Sequence, residues 1–106
     1  MSITHPRGFR AAGLAAGLKS TGATDLALIV NDGPRETAAA VFTANRVQAA
    51  PVIWSREVVA DGRARAVVLN SGGANACTGP EGLDDTRRTA EHLAETLEVS
   101  AHDVLV

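Results

Sequence analysis

The residues with chemistry to offer gather in one stretch, Asn70-Ser71-Gly72-Gly73-Ala74-Asn75-Ala76-Cys77-Thr78-Gly79. Two carboxamides, two hydroxyls and a thiol sit among small residues that leave the backbone open to an approaching ligand. A glycine-rich turn between a strand and a helix exposes backbone N–H groups, which suit an anion or a carbonyl oxygen. Asn70 and Asn75 can hydrogen-bond a substrate amide or carboxylate. Equally, both can fold the loop on itself through Asx-type bonds. The stretch does not match G-x-G-x-x-G and has no lysine after its last glycine, which disfavours nucleotide phosphate. Thr78 and Glu81 have capping-box spacing, which would occupy the free N–H groups, and Glu81 would repel an anion.

Cys77 lies close to a helix start, where a thiol can become more acidic and nucleophilic. Its base would have to be His5, His92 or His102. His92 falls roughly three helical turns further on, at ~1.5 Å of rise per residue, too far to serve. A small buried thiol is the expectation for Cys77. As the single cysteine it forms no intrachain disulfide, and no metal-ligand spacing is present. Thr43, Ser71 and Thr78 are hydroxyls with no base in view, and the histidines are expected to face solvent.

The elements that would hold this stretch can be read from apolar runs and turn signals. Gly8, Gly13 and Gly17 disfavour a helix over residues 8–18, which are expected to be extended or to form a hairpin. Thr21-Gly22-Ala23 reads as a turn and Leu26-Ala27-Leu28-Ile29-Val30 as a buried strand, ended by Asn31-Asp32-Gly33-Pro34. The run Ala38-Ala39-Ala40-Val41-Phe42-Thr43 is expected to pair antiparallel with that strand. Pro51-Val52-Ile53-Trp54 reads as extended, with Ser55 capping a short helix to Val59 and Gly62 closing it. Residues 65–69 form a further strand and lead into the loop. A long helix follows, with Pro80 in its first turn and Leu83, Ala90, Leu93, Ala94 and Leu97 on one face. Asp84, Asp85, Arg87 and Arg88 form its solvated side. Asp103-Val104-Leu105-Val106 begins another strand, which ends the chain without a turn and reads as a cut.

Composition narrows the class. Of 106 residues, 45% are hydrophobic and 21% charged, as in ordinary folded domains rather than disordered ones. Aromatics are only 3%, so an Ala, Val and Leu core buries modest area, which points to a marginal monomer or a partner surface. The net charge of -2 gives no basic footprint for nucleic acid. Lys19 interrupts the one weakly signal-like segment, and no run reaches the ~18 apolar residues of a membrane span.

Three blocks carry a resemblance. Phe9-Arg10-Ala11-Ala12-Gly13-Leu14-Ala15-Ala16-Gly17-Leu18-Lys19 with Asp25-Leu26-Ala27-Leu28 is the first. Val41-Phe42-Thr43-Ala44-Asn45 with Ala49-Ala50-Pro51-Val52 is the second, and residues 70–79 are the third. In this order they resemble the opening of the bacterial ornithine acetyltransferases, also called glutamate N-acetyltransferases, of arginine biosynthesis. Gly73 stands where many of that family carry Asn.

The resemblance implies an α/β (α+β) fold: part of a layered αββα sandwich, here an incomplete N-terminal portion with a mixed sheet and one long helix. It implies transfer of acetyl from N-acetylornithine to glutamate through an acyl-enzyme on a threonine freed by self-cleavage. A Thr-Gly segment would hold the oxyanion. No cofactor is implied for that exchange, though acetyl-CoA is a donor in bifunctional members. The implied partners are the rest of the α-chain, the self-cleaved β-chain and the two small substrates, in a cytoplasmic oligomer without nucleic acid or membrane. Nucleophile and oxyanion segment would lie beyond Val106, so no catalytic residue maps onto a numbered position. Asn70, Ser71, Gly72 and Asn75 would form part of the substrate pocket wall. The rival reading is a free-standing small-molecule or interaction module that uses the same loop.

Overall fold

The computed structural model describes residues 2–106. Strand β1 (Phe9–Leu14) and strand β2 (Leu26–Asn31) form an antiparallel pair from Phe9↔Asn31 to Leu14↔Leu26. The far edge of β2 pairs antiparallel with β3 (Ala66–Asn70), Leu28 opposite Val68 and Val30 opposite Ala66. Strand β4 (Val104–Leu105) then runs parallel to β3, which completes a four-stranded mixed sheet in the order β1-β2-β3-β4. A parallel pair needs a long crossover, and helix α2 (Gly79–Leu97) supplies it. Helix α1 (Ala50–Val58) precedes β3 and ends in a short 3-10 turn closed by Gly62, whose φ of 77° suits glycine.

Both helices pack on one face of the sheet. Trp54 and Val58 of α1, Ala90 and Ala94 of α2, Ala66 and Val104 form the buried core, with Leu28, Leu93 and Leu97 against it. Ala90 is fully buried, and its small side chain lets α2 approach closely. The Trp54 indole N–H donates to the Val104 carbonyl at 2.9 Å, and Ser55 Oγ donates to the Val106 carbonyl at the same distance. The α/β architecture and the single long helix are as the sequence implies.

Alternation along the strands sends Ala27, Ile29, Val67 and Leu69 to the opposite face, with Ala11 beside Ile29 and Gly13 beside Ala27. No charged residue lies among them, and Leu69 is 48% exposed.

Five local expectations are corrected. Residues 38–43 form no strand beside β2, because β1 and β3 occupy both of its edges; Val41 is fully exposed instead. Residues 51–54 are helical, with Pro51 at the start of α1, where its missing N–H costs nothing. Ser55 is therefore a buried helix residue bonded to Val106, not a cap. The capping box does not form: Thr78 precedes α2 but makes no side-chain cap bond. On α2, Gly82 and Thr86 are buried near the start while Leu83 is 37% exposed. The acidic and basic residues of that helix do form its solvated side, with Arg87 paired to Asp84 and to Glu91.

Candidate functional site

The 70–79 loop leaves the end of β3 and closes over the start of α2. Between it, the β1–β2 connection and the chain end lies a cleft of about 400 Å³. Leu18, Leu26, Val68 and Val106 line its apolar part, while Asn70, Asn75, Asp85, Thr86 and Thr89 line its polar part. The cleft sits where the parallel strands β3 and β4 end and α2 begins, the usual place for a ligand in such sheets.

Asn75 lines the cleft, but its carboxamide is bonded within the protein. Its Nδ2 donates to the Gly82 carbonyl at 2.7 Å and to Thr86 Oγ1 at 3.0 Å, while its Oδ1 accepts from the Thr78 hydroxyl. Its own carbonyl accepts from the Ala50 N–H at 3.3 Å, which ties the loop to the start of α1. The carboxamide thus stitches the loop into the first turns of α2, and it takes the Thr78 hydroxyl that a capping box would use. Gly82 is the complement: a Cβ there would overlap both Thr78 Oγ1 and Asn75 Oδ1. Gly82→Ala is expected to displace the loop and cost ~1–3 kcal/mol by overpacking. Asn75→Ala is expected to cost ~0.5–1.5 kcal/mol by removing the bonds that tie the loop to α2, since the Thr86 hydroxyl still donates to the Gly82 carbonyl. Urea unfolding of each variant and of the double mutant checks this, and the losses should fall short of additive because one cluster is broken either way.

The other three loop residues stand differently. Asn70 is exposed at the end of β3 and lines the cleft. Ser71 is exposed, and its N–H donates to the Asp25 carbonyl at 2.8 Å. Gly72 has φ +105°, and a Cβ there would lie 2.9 Å from Lys19 Cγ and 3.3 Å from the Leu18 backbone. Only glycine lets the two loops touch at that point. Cys77 is exposed rather than buried, with φ 58°. The tight return of the chain into α2 turns its side chain outward. His5, His92 and His102 are exposed as expected, and His102 stacks on Trp54 with ring centroids 5.5 Å apart. Among the described residues no group of three or more His, Cys, Asp or Glu is arranged to hold a metal ion. No helix there is long and apolar enough to cross a membrane.

Sequence reasoning overlooked Asp25, which is only 4% exposed. Its carboxylate accepts from the Ala16 N–H at 2.6 Å and the Lys19 N–H at 2.9 Å. Those two amides, that of Ala16 foremost, hold its carboxyl below the usual carboxylate range. Asp32 is shifted the same way by the Arg10 guanidinium, at 2.5 Å on the surface. A carboxyl whose folded pKa is depressed stabilises the fold fully above its unfolded value, about 3.9, and loses that contribution as pH falls through the folded value. The urea midpoint is therefore expected to drop as pH is lowered below about 4. Asp25→Asn should flatten that dependence more than Asp32→Asn, since the exposed pair with Arg10 is screened by water and salt.

The ArgJ family model matches residues 10–106. An arginine biosynthesis bifunctional protein ArgJ from Thermobifida fusca is 64% identical over 106 residues, all of this chain and 28% of that protein. The protein of the same description from Mycobacterium tuberculosis is 62% identical over 95 residues, 90% of this chain and 24% of that one. Among solved structures, the ornithine acetyltransferase complexed with ornithine from M. tuberculosis matches with TM-score 0.96 and 58% identity, over 98% of this chain and 56% of that chain. The arginine biosynthesis bifunctional protein argJ of Bacillus halodurans matches with TM-score 0.94 and 42% identity, over 100% and 55%. The chain thus spans 28% or less of the length of these two sequence relatives.

Proposed function

The chain belongs to the ArgJ family, and on that premise we propose that it is the N-terminal segment of the α-chain of an N-acetyltransferase of arginine biosynthesis. In this reading the whole enzyme moves acetyl from N-acetylornithine to glutamate. The observation that supports it most is the family match over residues 10–106 together with the near-complete superposition on an ornithine acetyltransferase.

The acyl-enzyme forms on a threonine freed by self-cleavage, whose amine and hydroxyl act as base and nucleophile. A Thr-Gly segment stabilises the oxyanion. Both belong to polypeptide outside these residues, so this segment is inactive alone and contributes scaffold and one wall of the substrate pocket. Cleft, loop and Asn70 are its contribution, with Ser71 and Gly72 shaping the wall and Asn75 holding it. The exchange uses no cofactor, and acetyl-CoA serves as donor where a member is bifunctional. The enzyme works in the cytoplasm as an oligomer of cleaved chains. A free-standing binding module is less well supported, because Asn75 spends its carboxamide inside the loop.

Two preparations test the proposal: the purified 106-residue chain, and a polypeptide that continues into a Thr-Gly segment and an Ala-Thr cleavage junction. The short chain is expected to show no transfer from N-acetylornithine to glutamate, and the long one to cleave itself and turn over. Turnover by the short chain would overturn the division of labour. A long chain that neither cleaves nor transfers would overturn the acetyltransferase reading.

A further inference from the structure

We infer that Asp25 is the positioning residue of the cleft: it locks the β1–β2 connection onto the 70–79 loop and so sets where the Leu18 wall stands. This rests on the reading of the cleft as a substrate pocket.

Four hydrogen bonds carry the inference. The Asp25 side chain holds the Ala16 and Lys19 amides at 2.6 and 2.9 Å, one on each side of Leu18, a residue that lines the cleft. Its backbone N–H donates to the Leu14 carbonyl at 3.1 Å, and its carbonyl accepts from Ser71 at 2.8 Å. One residue therefore grips both loops. The fit is completed at Gly72, which has room for no Cβ against Lys19 and Leu18. Lys19 is the charged residue that faces this cluster, and its Nζ donates to the Thr24 carbonyl at 3.2 Å. A carboxylate suits the place because it is acceptor-only and meets two donors. A carboxamide there can satisfy one amide but must point its NH₂ at the other. With that grip broken, Leu18 no longer stands at a fixed distance from Asn70 across the cleft. Binding would weaken while distant reacting groups keep their places.

The test has one arm in this chain and one in the enzyme assembled with its downstream polypeptide. In the chain, Asp25→Asn is expected to raise hydrogen exchange ~10-fold at the Ala16, Lys19 and Ser71 amides, with β2–β3 ladder amides unchanged. Unchanged exchange at Ser71 would overturn the coupling of the two loops. In the enzyme, Asp25→Asn is expected to raise KM for N-acetylornithine ~10-fold with kcat within about threefold, the signature of lost ground-state binding. A matching fall in kcat with KM unchanged would overturn the positioning role. Leu18→Ala guards against a variant that fails to fold. It trims the wall but leaves the Asp25 bonds, so it must reproduce the KM shift without the exchange change, and an unchanged KM overturns the inference. If the unsubstituted enzyme transfers no acetyl group, the functional reading falls, and the exchange arm still decides the loop coupling.

Discussion

Trp54→Ala is expected to leave the chain largely unfolded under conditions where the parent chain is native. Trp54 is 6% exposed, at the junction of α1, α2 and β4. Its loss removes the largest apolar side chain from a core otherwise made of Ala and Val, with Leu at its margin. Truncating a buried aromatic to Ala costs about 3–5 kcal/mol in typical cores. The Val104 carbonyl also loses the indole donor, and a buried acceptor left without a partner costs ~1–3 kcal/mol more. The total approaches the 5–15 kcal/mol of ordinary net stability, whose lower end suits a small domain with so few aromatics. Trp54→Phe separates the two contributions. It keeps most of the packing and the stack with His102 but not the donor, so it is expected to cost only ~1–3 kcal/mol. Urea unfolding followed by circular dichroism measures both variants. Equal losses for Ala and Phe would mean that the hydrogen bond, not the buried area, holds this corner together.

The same corner explains part of what the sequence conceals. Val52 and Ile53 have strand propensity and Pro51 suggests an extended start, yet α1 is a helix because Trp54 and Ser55 both dock onto β4 and the residue after it. Tertiary contact outweighs propensities worth tenths of a kcal/mol per residue. The misplaced strand at residues 38–43 has a different cause. A hairpin across Asn31-Asp32-Gly33-Pro34 was locally reasonable, but one edge of β2 is taken by β1 and the other by β3, which follows some forty residues later. Such pairing leaves no local mark. By contrast β2, β3 and α2 were legible, since each is an apolar run or a 3.6-residue stripe between strong turn signals.

The loop between β3 and α2 was legible from its run of small residues. The carboxamide of Asn75 gave no sign that it would turn inward, because Asx bonds and ligand bonds use the same groups. The one available hint was Gly82, a glycine inside a strong helical pattern, which implies close approach by a neighbour. Asp25 had a fainter signal still: an acid directly before an apolar, half-buried strand and just after a turn rich in small residues.

Ile29→Asp is expected to change little in this chain and to abolish its assembly with the rest of the enzyme. Ile29 is half-buried on the sheet face that carries no helix, opposite Val67 and beside Ala11. That face is apolar at Ala27 and Ile29 of β2 and at Val67 and Leu69 of β3, whereas the helix-covered face already has its partner in Trp54, Ala90 and Ala94. Contiguous exposed apolar surface on a sheet marks a place where another layer packs, and sheets stack at ~10 Å with interdigitating side chains. If the chain is part of the layered sandwich that the resemblance implies, that layer is the second sheet. In the isolated chain a carboxylate at position 29 remains hydrated, so the urea midpoint is expected to move by no more than ~1 kcal/mol. Once a second sheet closes over it, the same carboxylate is buried without a cation, at a cost of several kcal/mol. Ile29→Val is the control: one methylene less, ~0.5–1.5 kcal/mol, with assembly retained. Co-expression with the downstream polypeptide, then purification and assay of acetyl transfer, reads the outcome. The Asp variant should give a folded segment with neither assembly nor transfer. An Asp variant that assembles and turns over like the parent would mean that this face stays in water in the complete enzyme, and that the second layer packs elsewhere.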